Sequence, residues 1–271
     1  MSSKTVVSFE IKSLPGGSGQ YGVINLHRLP GNALVPEILE GITSALDVLE
    51  ANNSVKGFIL TSTLPGMFCA GIDLQLFLAE TSVFSKFWTS LRTVFLRIYE
   101  SKLVSIACIQ GHAPGGGTIL SLACHYRFML NGKSTIGLNE VAVGLPVPRW
   151  LCDVFAQTVG NRVSEKILPY GPTFPAHTAK EIRLVDGIYD TVEGMREAAL
   201  IQLDKCSKVD QSGRRVTMHF IRRDFAEKMR REEALDMEDL VKAGASPNFQ
   251  RTVKKVIMSL QAKKNKPKSN L

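Results

Sequence analysis

Apolar and polar residues alternate over residues 5–11, TVVSFEI, and again over 21–26, YGVINL. The GGSGQ between them supplies turn residues, so the pair predicts a β-hairpin. Ile38, Leu39, Ile42, Ala45, Leu46 and Leu49 recur at helical spacing and predict an amphipathic helix from about Pro36 to Asn52. Two short, continuous apolar runs, KGFILTS (56–62) and LVSIACI (103–109), predict strands buried on both faces. A helical period fills roughly Ser82 to Glu100, a further helix is expected from about Thr118, and HYRFML (125–130) reads as another strand. Strands alternating with helices predict an α/β fold. Beyond about residue 146 strand signals thin out, and residues 194–260 read almost wholly as helix. The expected organisation is an α/β core over 1–193, a helical region over 194–260 and a basic, disordered tail over 261–271.

Composition narrows this picture without changing it. With 271 residues, 44% hydrophobic, the chain can bury a sizeable core, and collagen-like or wholly disordered classes are excluded. No run approaches 18 apolar residues, so no membrane-spanning helix is expected. The first twelve residues show neither the apolar core of a secretory signal nor the Arg-rich pattern of a transit peptide. Cys69, Cys108, Cys124, Cys152 and Cys206 are scattered among apolar neighbours with no CxxC pair, so they read as small buried hydrophobes.

The net charge of +8 invites a polyanion, but its distribution argues otherwise. Lys263, Lys264, Lys266 and Lys268 belong to the tail. Arg214, Arg215, Arg222, Arg223, Arg230 and Arg231 mingle with Asp224, Glu227, Glu232 and Glu233 and read as a solvated helical face. No aromatic RNA-binding motif or zinc-finger spacing accompanies them, and nucleic acid is not an expected partner.

Several catalytic signatures are missing: GHAPGGG (111–117) lacks the GK[ST] of a P-loop, and there is no GxSxG, HExxH or metal-ligand spacing of histidines. What remains is two glycine-bearing loops and one carboxylate. The first loop, Phe68-Cys69-Ala70-Gly71-Ile72-Asp73-Leu74, follows one buried strand; the second, Pro114-Gly115-Gly116-Gly117, follows another and opens a helix. Small residues there leave backbone N–H groups unshielded, and two such loops side by side could aim two donors at one developing oxyanion. Tight turns with close backbone packing would produce the same residues. Glu140, in STIGLNEVAVGLP, has apolar neighbours that would raise its pKa toward that of a general base; its spacing equally suits a glutamate at a helix start.

Taken together, FCAGIDL, GHAPGGG and the Glu140 segment resemble the crotonase (enoyl-CoA hydratase/isomerase) superfamily in order and spacing. The runs YRFMLNGKSTIGLNEVAVGLPVPRWL and GNRVSEKILPYGPTFPAHTAKEIRLVDGIYD are most similar to its mitochondrial-type Δ3,Δ2-enoyl-CoA isomerases. The resemblance implies a crotonase-like spiral of ββα turns, with a helical C-terminal region that builds trimers or hexamers. It implies an acyl-CoA thioester as substrate, with coenzyme A part of that substrate and no separate cofactor. By the same resemblance the N–H groups of Ile72 and Gly116 would form the oxyanion hole, and Ala70, Gly71, Ile72, Asp73 and Leu74 would line the CoA and acyl channel. Asn139 would lie beside the reacting carbons, and Glu140 would be the catalytic base. Hydratases of the superfamily carry a second glutamate two residues after their GGG; here that position is Ile119, so isomerisation (an EC 5.3.3 activity) is favoured over hydration.

Two departures stand out. His125 occupies a position where relatives often have Asp, and Pro148 and Arg149 fall near the expected acyl channel. Other activities on the same framework are thioester hydrolysis or dienoyl-CoA isomerisation, and a different class is a non-catalytic RNA- or protein-binding member. Ser269-Asn270-Leu271 is a loose variant of the peroxisomal address SKL and favours the peroxisome or a related organelle, with the mitochondrial matrix the alternative from the resemblance.

Overall fold

A computed structural model describes residues 5–264 apart from residue 18. Along the chain the elements are β1 (Val7–Ser13), β2 (Gln20–Leu26), α1 (Pro36–Ala51), β3 (Val55–Ser62), β4 (Gly66–Met67), α2 (Thr81–Tyr99), β5 (Val104–Ile109), β6 (Gly111–Pro114), α3 (Gly116–Ala123), β7 (Tyr126–Leu130) and β8 (Thr135–Gly137). Then follow α4 (Arg149–Val159), α5 (Asn161–Ile167), β9 (Phe174–Pro175), α6 (Ala176–Glu181), β10 (Gly187–Tyr189), α7 (Val192–Ser207), α8 (Gln211–Arg231), α9 (Glu233–Gly244) and α10 (Pro247–Lys264). Short 3-10 turns span Leu74–Leu78, Glu140–Val143 and Leu168–Tyr170.

Two sheets organise the core. The larger has the order β1-β2-β3-β5-β7-β10, antiparallel at the β1–β2 hairpin and parallel thereafter. The smaller has the order β4-β6-β8-β9. A strand of the large sheet, a short strand of the small one and then a helix recur as β3-β4-α2, β5-β6-α3 and β7-β8-α4. This repeat is the expected ββα spiral. The small sheet was not expected, because strands of two to four residues carry no period to detect.

The continuous apolar runs are explained by burial on both faces. Phe58 and Leu60 of β3 and Ala107 and Ile109 of β5 join the main core with α1, α2, α3 and α4. Their alternates Ile59, Ile106 and Cys108 pack with Met195, Ala199 and Leu203 of α7 in a second core. All five cysteines are free thiols; Cys69, Cys108 and Cys124 are buried, and burial pushes each up to about 12. Cys152 and Cys206 are only half-buried.

The C-terminal region is helical as expected, and α10 runs to Lys264, into the segment expected to be disordered. Residues 265–271, including Ser269-Asn270-Leu271, lie outside the described residues. Asp236 of α9 is locked to α2, accepting from Trp88 Nε1 at 2.9 Å and from Arg92 at 2.7 Å, with both charged side chains buried. Among the described residues, no helix is long and apolar enough to cross a membrane.

Candidate active site

The first glycine loop is held open by the turn around Asn32, which packs against it. Asn32 is buried with φ of 55°, a left-handed conformation that Asn tolerates better than most residues. Its Nδ2 donates to Ser62 Oγ at 2.8 Å and to the Phe68 carbonyl at 3.0 Å. Leu34 then pairs with the loop as a strand would: its N–H donates to the Gly71 carbonyl at 2.7 Å, and its carbonyl accepts from Asp73 N–H at 3.1 Å. Successive peptide groups in extended chain face opposite ways, so this bridge turns the Ile72 N–H away from Leu34. Among the described residues no backbone carbonyl accepts from it.

The second loop closes against this free edge. A Cβ built on Gly116 would lie 2.7 Å from Leu34 Cδ1 and 3.0 Å from the Gly71 carbonyl carbon, so only glycine permits the approach. A Cβ built on Gly71, whose φ is +98°, would lie 3.6 Å from Gly116 N. Gly116 is the first residue of α3, where N–H groups have no intrahelical acceptor. Thr118 pins the loop from below, donating to the Ala113 carbonyl at 2.6 Å and accepting from Gly137 N–H at 2.9 Å. The two loops thus bring the expected pair, Ile72 and Gly116, together.

Glu140 opens the 3-10 turn Glu140–Val143, with Asn139 just before it. The left-handed Gly171 packs under this turn, where a Cβ would sit 3.1 Å from Ala142 N and 3.4 Å from Asn139 Cα. The Glu140 Oε2 is buried with no hydrogen-bond partner, and burial raises the pKa of Glu140 from 4.5 to about 7, opposed only by its own backbone. The alternative of a structural glutamate at a helix start leaves that orphaned oxygen unexplained. Gly115 faces it: a Cβ there would lie 3.8 Å from Glu140 Oε1 and 3.2 Å from Asn139 Oδ1. The carboxylate, Asn139 and the second loop therefore converge on one spot.

The other expected residues divide. Ala70 is exposed, while Ile72 and Leu74 are half-buried, with one side against the main core. Asp73 is occupied structurally: it caps the Leu74–Leu78 turn through Gln75 N–H at 3.1 Å and pairs with Arg28 at 3.3 Å. Ile119 is buried in the main core. Arg149 points away to Asp239 of α9, at 2.7 Å on the surface. His125 accepts from Ser105 N–H at 3.2 Å through Nδ1, and burial followed by Arg222, Arg214 and Arg127 holds it well below 6.5.

Sequence reasoning missed three contributors. Asn32 and Thr118 had no motif of their own, and their roles depend on loops far away in sequence. The third is α10, assigned with the rest of 194–260 to oligomerisation. Gln250 donates to the Phe77 carbonyl at 3.1 Å, the Phe249 ring meets Phe77 edge-on at 5.3 Å, and Phe249 lies beside Gly144. Thus α10 ties the turn after the first loop to the end of the Glu140 turn.

The sequence profile of enoyl-CoA hydratase/isomerase matches residues 18–268. The chain belongs to the enoyl-CoA hydratase/isomerase family. Within this enzyme family, mitochondrial enoyl-CoA delta isomerase 1 of Mus musculus is 30% identical over 250 residues, covering 92% of this chain and 86% of the mouse protein. The Homo sapiens protein of the same name is 29% identical over 252 residues, covering 92% and 83%. The crystal structure of human mitochondrial delta3-delta2-enoyl-CoA isomerase superposes with a TM-score of 0.89 at 28% identity, over 96% of this chain and 100% of that one. An enoyl-CoA hydratase from Bacillus halodurans reaches 0.82 at 20% identity over 92% and 99%, which shows the shared crotonase fold alone.

Proposed function

We propose that the protein is a Δ3,Δ2-enoyl-CoA isomerase, acting on 3-enoyl-CoA thioesters in the oxidation of unsaturated fatty acids. The observation that carries this reading is Glu140: one buried, unpartnered carboxylate ionising near 7, facing the loop that presents Gly116. A base is most effective with a pKa near the working pH.

The chemistry follows from placing the thioester oxygen between the N–H groups of Ile72 and Gly116. The thioester acidifies the C2 proton, and the Glu140 carboxylate removes it. The electron pair moves into the thioester, giving a dienolate whose oxyanion the two N–H groups stabilise. Glu140, now protonated, returns the proton at C4 and regains its charge, leaving trans-2-enoyl-CoA. One base suffices because proton loss and gain occur on one face, and no cofactor is needed beyond the coenzyme A of the substrate. Ile119 supports isomerisation over hydration, since a buried apolar side chain cannot activate water as a second glutamate would. Ala70 to Leu74 and Asn139 are the proposed substrate-lining residues, Asp73 acting through its cap and its pair with Arg28.

The two mammalian relatives carry a mitochondrial name, and the mitochondrion is the compartment we propose. The assembly we propose is a homotrimer, supported by exposed Val216, Phe220 and Ile221 on α8.

The test is purified protein with 3-hexenoyl-CoA, followed by absorbance of the conjugated thioester, beside Glu140→Gln and a 2-enoyl-CoA hydration control. Conversion by the wild type, a loss of about 10²–10⁴-fold in the variant and no hydration are expected. Hydration in the control, or full activity in the variant, would reject the single-base isomerase.

A further inference from the structure

The arginines of α8 do not all lie on a solvated face. Positions 214, 218, 222, 225 and 229 recur every three to four residues and form one stripe of the helix, and Phe225 and Met229 of that stripe are buried in the main core. Arg214 and Arg222 therefore sit where an amphipathic helix would place apolar residues, and both are half-buried. They border a cleft of about 110 Å³ between α8 and the turn joining α2 to β5, shared with Tyr99, Lys102, Arg215 and His219.

Buried or half-buried cations are normally matched by carboxylates. Here they are not. Among the described residues, no Asp or Glu lies within ion-pair distance of Lys102, Arg214, Arg215 or Arg222. Glu100 borders the cleft, but Arg230 takes both of its oxygens. Arg222 stacks on the Tyr99 ring at 4.2 Å and donates through one nitrogen to the Tyr99 carbonyl, which fixes its plane; among the described residues its other N–H groups meet no acceptor. Arg214 is fixed in the same way by Gln211 Oε1 at 3.0 Å and by the Lys102 carbonyl. Burial first, and then the charges of Arg222, Arg214 and Arg127, hold the His125 imidazole well below 6.5.

We propose that this cleft binds a phosphoryl group, either inorganic phosphate or the phosphate end of a small ester, at a site separate from Glu140 and its two loops. A tetrahedral dianion fits the requirement on three counts. Fixed guanidinium forks match phosphate oxygens, the charge offsets the uncompensated cations, and the small volume admits the headgroup while the rest of an ester stays outside. None of the residues around the cleft belongs to the loops or to the Glu140 turn.

The experiment is calorimetric titration of the full-length protein with inorganic phosphate and, separately, methyl phosphate, at constant ionic strength in chloride. It is repeated with Arg222→Met and with the exposed Lys102→Met, which keeps the test valid if the first variant does not fold. Saturable one-site binding is expected, unaffected by saturating coenzyme A, weakened at least about tenfold in Arg222→Met and measurably in Lys102→Met, with 3-hexenoyl-CoA turnover unchanged in both. A preference for methyl phosphate over inorganic phosphate would mark an ester as the ligand. No saturable binding, equal binding by both variants, or displacement by coenzyme A would overturn the proposal. So would binding that vanishes as protein concentration rises, because the cluster would then meet a carboxylate of a second copy.

Discussion

A carboxyl group that ionises near 7 inside the fold and near 4.5 outside it ties activity and stability to one proton. To act as the proposed base, Glu140 must be charged, so kcat/KM for a 3-enoyl-CoA is expected to rise with pH and level off above an inflection near 7. Stability runs the other way. The folded-state pKa lies above the unfolded one, so the unfolded chain releases the proton first, and wild-type stability falls as pH climbs from about 4.5 to 7. Glu140→Gln removes that loss. Urea unfolding should find the variant nearly equal to wild type at pH 5 and more stable at pH 8, by up to about 3 kcal/mol; an unchanged difference between the two pH values would mean that Glu140 is not buried as a charge. Gly116 makes the second residue-scale prediction. Its notional Cβ collides with Leu34 and the Gly71 backbone, so Gly116→Ala must push the loops apart. The expected loss is that of one oxyanion donor, about 10²–10³-fold in kcat, with fluorescence-monitored unfolding reporting whether the fold survives.

At the scale of elements, the sequence announced those whose period is long enough to read. The hairpin, α1, β3, α2, β5 and β7 fall where alternation, helical spacing or a continuous apolar run placed them, and the helical character of 194–260 is equally plain. The small sheet stayed hidden because Gly66–Met67 and Phe174–Pro175 are too short to show a pattern. The convergence of Ile72, Gly116 and Glu140 came from family resemblance, since no local rule brings residues 68 apart in sequence to one spot. Nor could spacing reveal Asn32, whose work is done on Phe68 and Ser62, or the docking of α10 on both site turns. The α2–α9 contact belongs to the same class: Arg92 and Asp236, charged residues on the buried faces of helices far apart in sequence, meet in the interior at 2.7 Å. Arg92→Met strands the Asp236 carboxylate with Trp88 as its remaining donor, and should cost about 3–5 kcal/mol in urea unfolding. The double variant Arg92→Met with Asp236→Leu removes both charges and should recover most of it. A double variant no better than the single one would show that the pair contributes net stability beyond satisfying each other's burial.

For the whole molecule, three of the exposed large apolar side chains among the described residues lie close together on α8. Val216, Phe220 and Ile221 are 49%, 65% and 69% exposed on a helix whose mean composition is strongly polar, and they fall within six residues of one another. Singly exposed apolar residues are ordinary; a cluster on one helix marks an interaction surface. A second copy of the chain is the occupant proposed for it, since Glu140 and the two glycine loops of the proposed site already meet within one chain. Phe220→Asp combined with Ile221→Lys places opposite charges in the contact without touching the buried stripe at Phe225 and Met229. Sedimentation velocity should then show the wild type as a trimer and the variant as a monomer at the same concentration. The variant should keep its circular dichroism and its turnover per chain, because Glu140 and both glycine loops lie elsewhere. A variant that stays trimeric would move the interface off α8, and a trimer lost together with activity would show that a neighbouring copy supports the site.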